Sequence, residues 1–237
     1  MNYGYWMLSV VIPLHNEAGN ITPLVAEIRA ALVEISHEIV LVDDGSTDGT
    51  QAEARLSGAR VIPHRKACGQ SAALLTGIRA AQGEWVVTLD GDGQNDPADI
   101  PALWTRVLEF AADGAPVMVM GERTRRRDSI ARRWMSRTAN RIRESMLHDG
   151  VRDTGCSLKI FRRVDFLALP FFDHIHRYMP ALMRREGIMT HAYPVGHRPR
   201  TRGVSKYGFW DRLWVSIADL LGVYWLLQRR KLPEITS

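Results

Sequence analysis

Short apolar runs alternate with helical patterns through the first half of this chain, and this alternation is its strongest constraint on the fold. Five runs have the length and apolar content of strands buried on both faces: 7–13, 38–43, 59–63, 85–89 and 117–121. Between them, residues at helical spacing predict helices over 21–35, 50–56, 70–82 and 99–112. Strands that alternate with helices form a mainly parallel sheet covered by helices, so we predict an α/β fold.

An acidic turn follows the fourth run and is the most informative strand end. Asp90, Asp92 and Asp96 are separated by glycines, and Pro97 then opens a helical pattern that Asp96 can cap. Crowded carboxylates repel one another unless a cation neutralises them, and their oxygens suit hard ions such as Mg²⁺ or Mn²⁺. An ordinary Asp- and Gly-rich turn is the alternative. An EF-hand loop is excluded, because its invariant glycine and final glutamate are absent.

Polar turns also follow the first and second strands, at His15 and Asp44. Open α/β sheets bind ligands at the carboxyl ends of their parallel strands, so we expect these turns to share one site. The first strand lacks the glycine fingerprint of a dinucleotide site, and the chain has no Walker sequence. The acidic turn is therefore the predicted phosphate-binding device.

The second half is strongly basic. Nine arginines and a single carboxylate, Asp128, lie between Arg123 and Arg143, in a region whose pattern predicts a helix over 130–147. Guanidinium groups match phosphate oxygens with paired donors, although a solvated basic helix face is the alternative. A second basic segment, 197–208, is rich in Pro and Gly and reads as a loop. The net charge of +5 suits an anionic partner.

The carboxyl-terminal pattern predicts an aromatic helix over 209–227, followed by the basic run 228–231. Such a helix either lies on an anionic membrane surface or packs into the core. The apolar stretch from Trp214 is interrupted by Asp219 and is too short to span a bilayer, so we expect no integral membrane segment. No signal peptide is recognisable, and two cysteines make no disulfide framework. We expect a cytoplasmic protein, peripheral at the cytoplasmic face of the membrane.

Several ordered motifs together resemble glycosyltransferase family 2, especially its dolichol-phosphate mannose synthase-like branch, which uses polyprenyl phosphates. The resemblance spans nearly the whole chain and rests on the segments 11–17, 39–49, 89–94, 153–156, 176–180 and 197–208. It implies a GT-A fold, a single Rossmann-like domain whose mainly parallel central sheet is flanked by helices. It also implies inverting transfer of a hexose from a nucleotide-sugar, GDP-mannose or a UDP-hexose, to polyprenyl or dolichyl phosphate.

The resemblance further implies roles for individual residues on the donor side. The residues that line the nucleotide pocket are Pro13, His15 and Glu17, with Val42 and Asp44 at its base. The family's D-x-D metal and diphosphate site corresponds to Asp90, Gly91, Asp92 and Gln94. Asp92 and Gln94 are the predicted ligands of Mg²⁺ or Mn²⁺, with Asp90 supporting the metal or the donor sugar. Gly91 stands where the family more often has Ala.

On the acceptor side, the resemblance assigns basic residues. Those that match positions meeting the acceptor phosphate are Arg123, Arg132 and Ser136, with Arg133 as the alternative to Arg132. Those that help to close over the donor and acceptor phosphates are Arg177, Arg200 and Lys206. Asp90, Asp92, Arg123 and Arg132 are thus the candidate catalytic residues.

We therefore expect one domain over 1–237, with a nucleotide-sugar-binding half (1–122), an acceptor-binding half (123–208) and a C-terminal helix and tail (209–237). A lipid phosphate is already ionised near pH 7, since its second pKa is roughly 6, and it needs positioning more than deprotonation. A saccharide hydroxyl would need a general base, and transfer to such a hydroxyl is the first alternative function. A basic nucleic-acid-binding protein is the second, but no recognisable nucleic-acid module is present, and we expect no nucleic-acid partner. Membrane docking would come from the surface helix or from a separate membrane subunit.

Overall fold

The first half of the chain contains every strand and helix that its pattern predicts. The computed structural model describes residues 7–123, 143–151, 153–199 and 209–229, with side chains of the last segment described from 217 onward. The strands are β1 (Leu8–Leu14), β2 (His37–Asp43), β3 (Arg60–Pro63), β4 (Trp85–Thr88) and β5 (Val117–Arg123). The helices are α1 (Ile21–Ala31), α2 (Thr50–Leu56), α3 (Gln70–Ala80) and α4 (Ile100–Phe110), the last preceded by a 3₁₀ turn (Pro97–Asp99).

The second half adds two strands and four helical segments within the described residues. The strands are β6 (Lys159–Arg162) and β7 (Met189–Val195). The helices are α5, described over 143–147, α6 (Arg163–Leu167), α7 (Ile175–Arg185) and α8 (Phe209–Leu227). The predicted basic helix 130–147 is described only at this end, because residues 124–142 lie outside the described ranges.

All seven strands form one sheet with the order β3-β2-β1-β4-β6-β5-β7. β1 to β4 run parallel, and β5 pairs parallel with β7. β6 runs antiparallel to both of its neighbours, β4 and β5. The predicted mainly parallel sheet is therefore confirmed. Because β6 is reversed, the loop that precedes it lies beside the carboxyl end of β4, where the acidic turn begins.

The core lies on both faces of the sheet, as expected for strands that are apolar throughout. One cluster packs α1 and α4 against the sheet and includes the edge-to-face pair Trp85–Trp104, whose ring centroids are 5.8 Å apart. The other packs α3, α6, α7 and part of α8 against the opposite face. Gly77 brings α3 close to the sheet, since a Cβ there would lie 2.4 Å from a Val11 methyl group. Helices thus cover both faces of the sheet, so we expect a functional site at the ends of the strands.

Candidate active site

The turns after β1 and β2 are tied together at the carboxyl edge of the sheet. The Asp44 amide donates to the Leu14 carbonyl at 2.8 Å, and His15 Nδ1 lies 2.8 Å from the Asp44 carbonyl. The Glu17 amide donates to Thr50 Oγ1 at 2.8 Å. The expectation that these polar strand ends meet is therefore confirmed.

Asp44 fixes the loop that precedes α3. Its Oδ1 accepts from the Cys68 amide at 2.8 Å and lies 2.7 Å from His64 Nδ1, and its Oδ2 accepts from the Gly69 amide at 2.8 Å. Both oxygens of this buried carboxylate are thus bonded within the protein. The resemblance implied a place for Asp44 at the base of the nucleotide pocket, and in this structure its carboxylate positions the start of α3.

His64 belongs to the same group of side chains. Ligand atoms of Asp44, His64 and Cys68 lie within 4.8 Å of one another, which the spacing in sequence did not indicate. Both His64 nitrogens already have partners, since Nε2 lies 2.9 Å from Thr76 Oγ1. In this structure His64 therefore has a structural role.

Val42 faces the core rather than the edge of the sheet. Its side chain is fully buried, and one of its methyl groups lies 3.0 Å from the position that a Cβ on Gly77 would take. Only its backbone is therefore available for the predicted role at the base of the nucleotide pocket. The continuous apolar run of β2 gave no indication of which face each residue occupies.

The acidic turn packs directly against the end of β1. A Cβ on Gly91 would lie 2.4 Å from Leu14 Cδ2, 3.3 Å from the Pro13 carbonyl and 3.7 Å from Glu17 Cγ. The substitution of Gly for the commoner Ala therefore has a steric reason in this chain. The same contacts place the D-x-D turn beside Pro13 and Glu17, two of the predicted nucleotide-pocket residues.

Two carboxylates of this turn lie close together in a partly buried site. Asp92 is buried and its Oδ1 accepts from the Gln94 amide at 3.0 Å, while Asp90 Oδ1 accepts from Gln70 Nε2 at 2.8 Å. Burial raises the pKa of Asp90, and the neighbouring charge of Asp92 raises it further. A cation between the two groups would remove both penalties.

The oxygen atoms around this turn form a donor set that fits Mg²⁺ or Mn²⁺. They come from the carboxylates of Asp90 and Asp92 and from the side-chain amide of Gln94, and hard divalent ions prefer such ligands. The Gln94 amide nitrogen lies 3.4 Å from the Arg198 carbonyl, to which it donates. Its amide oxygen accepts no hydrogen bond from the described residues. Asp96 instead caps the following turn by accepting from the Ala98 amide at 3.0 Å, which confirms its predicted role.

A cavity of about 230 Å³ opens beside Asp90. It lies between the end of β4, the loop before β6 and the first turns of α3 and α7. Its lining residues are Gln70, Leu74, Thr88, Leu89, Asp90, Thr154, Gly155, Ser157, Lys159, His176, Arg177 and Met179. Arg177 was a predicted site residue, and the structure brings it to the same cavity as Asp90.

Three of these polar residues, Gln70, Lys159 and His176, were not predicted site residues. Lys159 is 3% exposed and donates to the carbonyls of Cys156 and Thr154, and burial lowers its pKa. Burial also lowers the pKa of His176 to about 3, so this imidazole is neutral at physiological pH. Two sequence signals were available: Lys159 interrupts an apolar strand pattern, and His176 begins one of the segments that carry the family resemblance.

Arg123 is held by a carboxylate that sequence reasoning did not pair with it. Its Nε and Nη2 donate to the two oxygens of Asp153 at 2.6 and 2.7 Å, and its amide donates to the same side chain at 3.2 Å. This pairing raises the pKa of Arg123, and the neighbouring carboxylate of Asp90 contributes as well. The guanidinium therefore has a fixed orientation near Asp90.

The remaining predicted acceptor-side and loop residues lie outside the described ranges. These residues are Arg132, the alternative Arg133, Ser136, Arg200 and Lys206.

α8 presents apolar residues on two faces. Val223 is buried, Leu220 and Leu227 pack against the core, and His174 of α7 bonds to Asp219 at 2.9 Å. The opposite face exposes Ile217, Leu221, Tyr224 and Trp225. The predicted packing into the core therefore holds for one face, and the predicted membrane contact of the other face stays a prediction. Among the described residues, no helix combines the length and apolar character needed to cross a bilayer.

Comparison with known proteins identifies the family. The profile described as Glycosyl transferase family 2 matches residues 9–169, and the chain belongs to this family. It is 35% identical over 241 residues to the dodecaprenyl-phosphate galacturonate synthase of Rhizobium johnstonii, covering 95% of this chain and 69% of that protein. It is 37% identical over 209 residues to the undecaprenyl-phosphate 4-deoxy-4-formamido-L-arabinose transferase of Pseudomonas aeruginosa, covering 85% of this chain and 60% of that protein. The predicted resemblance to the polyprenyl-phosphate branch is confirmed.

Solved structures confirm the GT-A fold. The chain superposes on glucosyl-3-phosphoglycerate synthase from Mycobacterium tuberculosis, solved with Mn²⁺, UDP-glucose and phosphoglyceric acid, with a TM-score of 0.68 and 20% identity. That match covers 94% of this chain and 80% of the other. Mannosyl-3-phosphoglycerate synthase from Rubrobacter xylanophilus gives a TM-score of 0.71 at 18% identity, covering 97% of this chain and 77% of the other.

Proposed function

We propose that this protein transfers a sugar from a nucleoside diphosphate donor to a polyprenyl phosphate. The observation that carries the proposal is the cavity beside the acidic turn, in which Asp90 is the only carboxylate among the described lining residues, with Lys159 and Arg177 among the others. A hydroxyl acceptor needs a general base, whereas a phosphate monoester is already ionised near neutral pH. The polyprenyl phosphates named for both curated relatives support the same acceptor class.

In the proposed reaction, an oxygen of the acceptor phosphate attacks the anomeric carbon of the donor sugar. The bond from that carbon to the diphosphate oxygen breaks, and the configuration inverts. A divalent ion held by Asp92 and Gln94 would stabilise the negative charge that develops on the leaving diphosphate. Gln70 keeps Asp90 at the sugar side of the turn through its 2.8 Å hydrogen bond. No side chain has to remove a proton from the acceptor.

The residues of the acceptor side place positive charge near Asp90. Asp153 orients the Arg123 guanidinium, and Arg177 reaches the cavity from the first turn of α7. Together with Lys159 they place cationic groups close to Asp90, where an incoming phosphate would otherwise be repelled. The basic residues outside the described ranges, Arg132, Arg200 and Lys206, are assigned to the same task by the family resemblance.

The exposed face of α8 supports docking at a membrane surface. Ile217, Leu221, Tyr224 and Trp225 recur at helical spacing on the side that faces away from α7. The basic run 228–231 follows directly and would meet anionic headgroups. We propose peripheral attachment at the cytoplasmic face, since the acceptor is a lipid and the donor is water-soluble.

A thermal-shift screen of UDP- and GDP-sugars with and without Mn²⁺ tests the donor. A ligand that binds the folded state raises its melting temperature by mass action. The donor that does so should yield a lipid-linked sugar with polyprenyl phosphate in detergent. Asp92→Asn should abolish the product, while Asp113→Asn at an exposed position should retain it. No shift with any nucleotide-sugar, or product only with soluble saccharide acceptors, would count against the proposal.

Vesicle cosedimentation tests the membrane contact. We expect the protein to sediment with vesicles that contain anionic phospholipid, and Leu221→Glu to release it by charging the exposed face. Val33→Glu, at another exposed apolar residue away from α8, is the matched control. Equal sedimentation of the wild type and Leu221→Glu would show that another surface of the protein binds the vesicles, and no sedimentation of the wild type would point instead to a separate membrane subunit.

A further inference from the structure

The loop after β7 is fastened across the acidic turn by its backbone. The Arg198 amide donates to the Gln94 carbonyl at 2.9 Å, and the Gln94 side-chain amide donates back to the Arg198 carbonyl at 3.4 Å. Two residues earlier, the Gly196 amide donates to Asp99 Oδ2 at 2.9 Å. Residues 196–198 therefore lie directly on the segment that carries one of the proposed metal ligands.

The Arg198 side chain fixes this crossing. Its Nη2 lies 2.7 Å from Asp96 Oδ1, its Nε donates to Asp96 Oδ2 at 3.2 Å, and its Nη1 donates to Glu27 of α1 at 2.7 Å. One guanidinium thus joins α1, the acidic turn and the loop after β7. The Arg198 side chain is 40% exposed, and ion pairs of this exposure contribute little to stability. These ion pairs therefore affect the position of the loop after β7 more than the stability of the fold.

The same contacts leave one atom of Gln94 for a ligand. Its amide donates to Asp92 Oδ1, its carbonyl accepts from Arg198, and its side-chain nitrogen donates to the Arg198 carbonyl. The side-chain oxygen is the one polar atom of Gln94 that accepts nothing from the described residues. Because the nitrogen end of the amide is held, the oxygen end is turned away from Arg198.

We propose that Arg198 is a positioning residue for the metal turn, which it serves by holding the Gln94 amide with its oxygen toward the ion that Asp92 binds. The inference rests on the proposed function, since it needs the metal site there. Mutation of a group that orients a metal ligand without touching the metal lowers metal affinity about 10- to 100-fold. Arg198 therefore affects metal binding without touching the ion or the substrate.

Mn²⁺ binding in Arg198→Met tests the inference. Free Mn²⁺ is measured by electron paramagnetic resonance, in the presence of whichever of UDP or GDP raises the wild-type melting temperature. We expect about 10-fold weaker Mn²⁺ binding. Arg106→Met is the matched control, since Arg106 pairs with Glu109 at 2.7 Å with 47% of its side chain exposed, and it should keep the wild-type affinity. Glu27→Gln, which removes only one anchor of Arg198, should cause a smaller loss in the same direction.

A double-mutant cycle separates positioning from a general structural role. If Arg198 acts through Gln94, adding Arg198→Met to Gln94→Ala should change the Mn²⁺ affinity by less than about 2-fold. A further 10-fold loss in the double variant would overturn the inference, as would wild-type affinity in Arg198→Met and Glu27→Gln. In both cases the proposed function would stand. If the wild type itself binds no Mn²⁺ with either nucleotide, the proposed metal site fails and the inference fails with it.

Discussion

Asp153→Asn removes the charge that holds Arg123 and should destabilise the fold measurably. Asp153 is 5% exposed, and it accepts two guanidinium bonds at 2.6 and 2.7 Å and one amide bond at 3.2 Å. Breaking a buried ion pair by removing one partner costs about 3–5 kcal/mol. The Arg123 side chain retains 17% exposure, and Asn keeps one acceptor, so we expect a loss of about 2–3 kcal/mol in the free energy of unfolding.

Urea denaturation followed by tryptophan fluorescence measures this loss. Asp165→Asn is the matched control, because Asp165 also receives two guanidinium bonds, at 3.0 and 3.2 Å, but from Arg162 only three residues away, in a pair more exposed than Arg123–Asp153. We expect at most about 1 kcal/mol for the control. Equal losses in the two variants, or an Asp153→Asn protein as stable as the wild type, would refute the reasoning.

The same variant has a functional consequence that differs from simple instability. Without Asp153 the Arg123 guanidinium loses its fixed orientation beside the cavity. We expect KM for polyprenyl phosphate to rise about 10-fold, the equivalent of one charge-assisted hydrogen bond, while KM for the donor stays the same. Parallel changes in both constants would show that Arg123 does not act on the acceptor side.

Three further changes have distinct expected outcomes. Burial lowers the pKa of His176 to about 3, so in acid the unfolded chain takes up its proton first. His176 thus contributes stability that is present above roughly pH 6.5 and declines toward pH 3, by about 2 kcal/mol at pH 5. Urea unfolding of wild type and His176→Gln at pH 7 and 5 should show this difference, and equal pH slopes would contradict it. Gly77→Ala places a Cβ 2.4 Å from a valine methyl group of β1 and should cost about 1–3 kcal/mol, whereas Gly222→Ala, with no atom within 4 Å, should gain up to about 1 kcal/mol in the same urea assay. Gln70→Ala removes the 2.8 Å bond to Asp90 and should lower kcat/KM for the donor about 10-fold, and Gln70→Glu should lower it further by repulsion; wild-type rates in both would exclude this positioning.

Much of the architecture could be predicted from local patterns. The run from Trp85 to Val87 is apolar throughout, and the acidic turn that follows this strand is visible without any structure. The cap at Asp96 is equally local, since it depends on a side chain and an amide two residues apart. The family resemblance added roles for individual residues of the acidic turn and of the basic acceptor side, because the order of motifs along the chain is itself sequence information.

The contacts that build the site could not be predicted in this way. Arg123 and Asp153 meet because β6 enters the sheet between β4 and β5 in the reverse direction, an order that no local pattern encodes. Val42 and Asp44 were both expected at the base of the nucleotide pocket, and only the fold shows that the side chain of the first packs against α3 and the carboxylate of the second holds the loop before it.

The sequence by itself determined where strands, helices and turns occur and which turns carry charge, since these depend on residues a few positions apart. Only the tertiary structure decided which charges face each other. Gln70 reaches Asp90 across 20 residues, and Arg198 reaches Glu27 across 171. The free energy of such contacts depends on strand order and helix packing, which arise from the whole chain at once. The acidic turn could therefore be recognised from the sequence, but the residues that support it could be identified only from the fold.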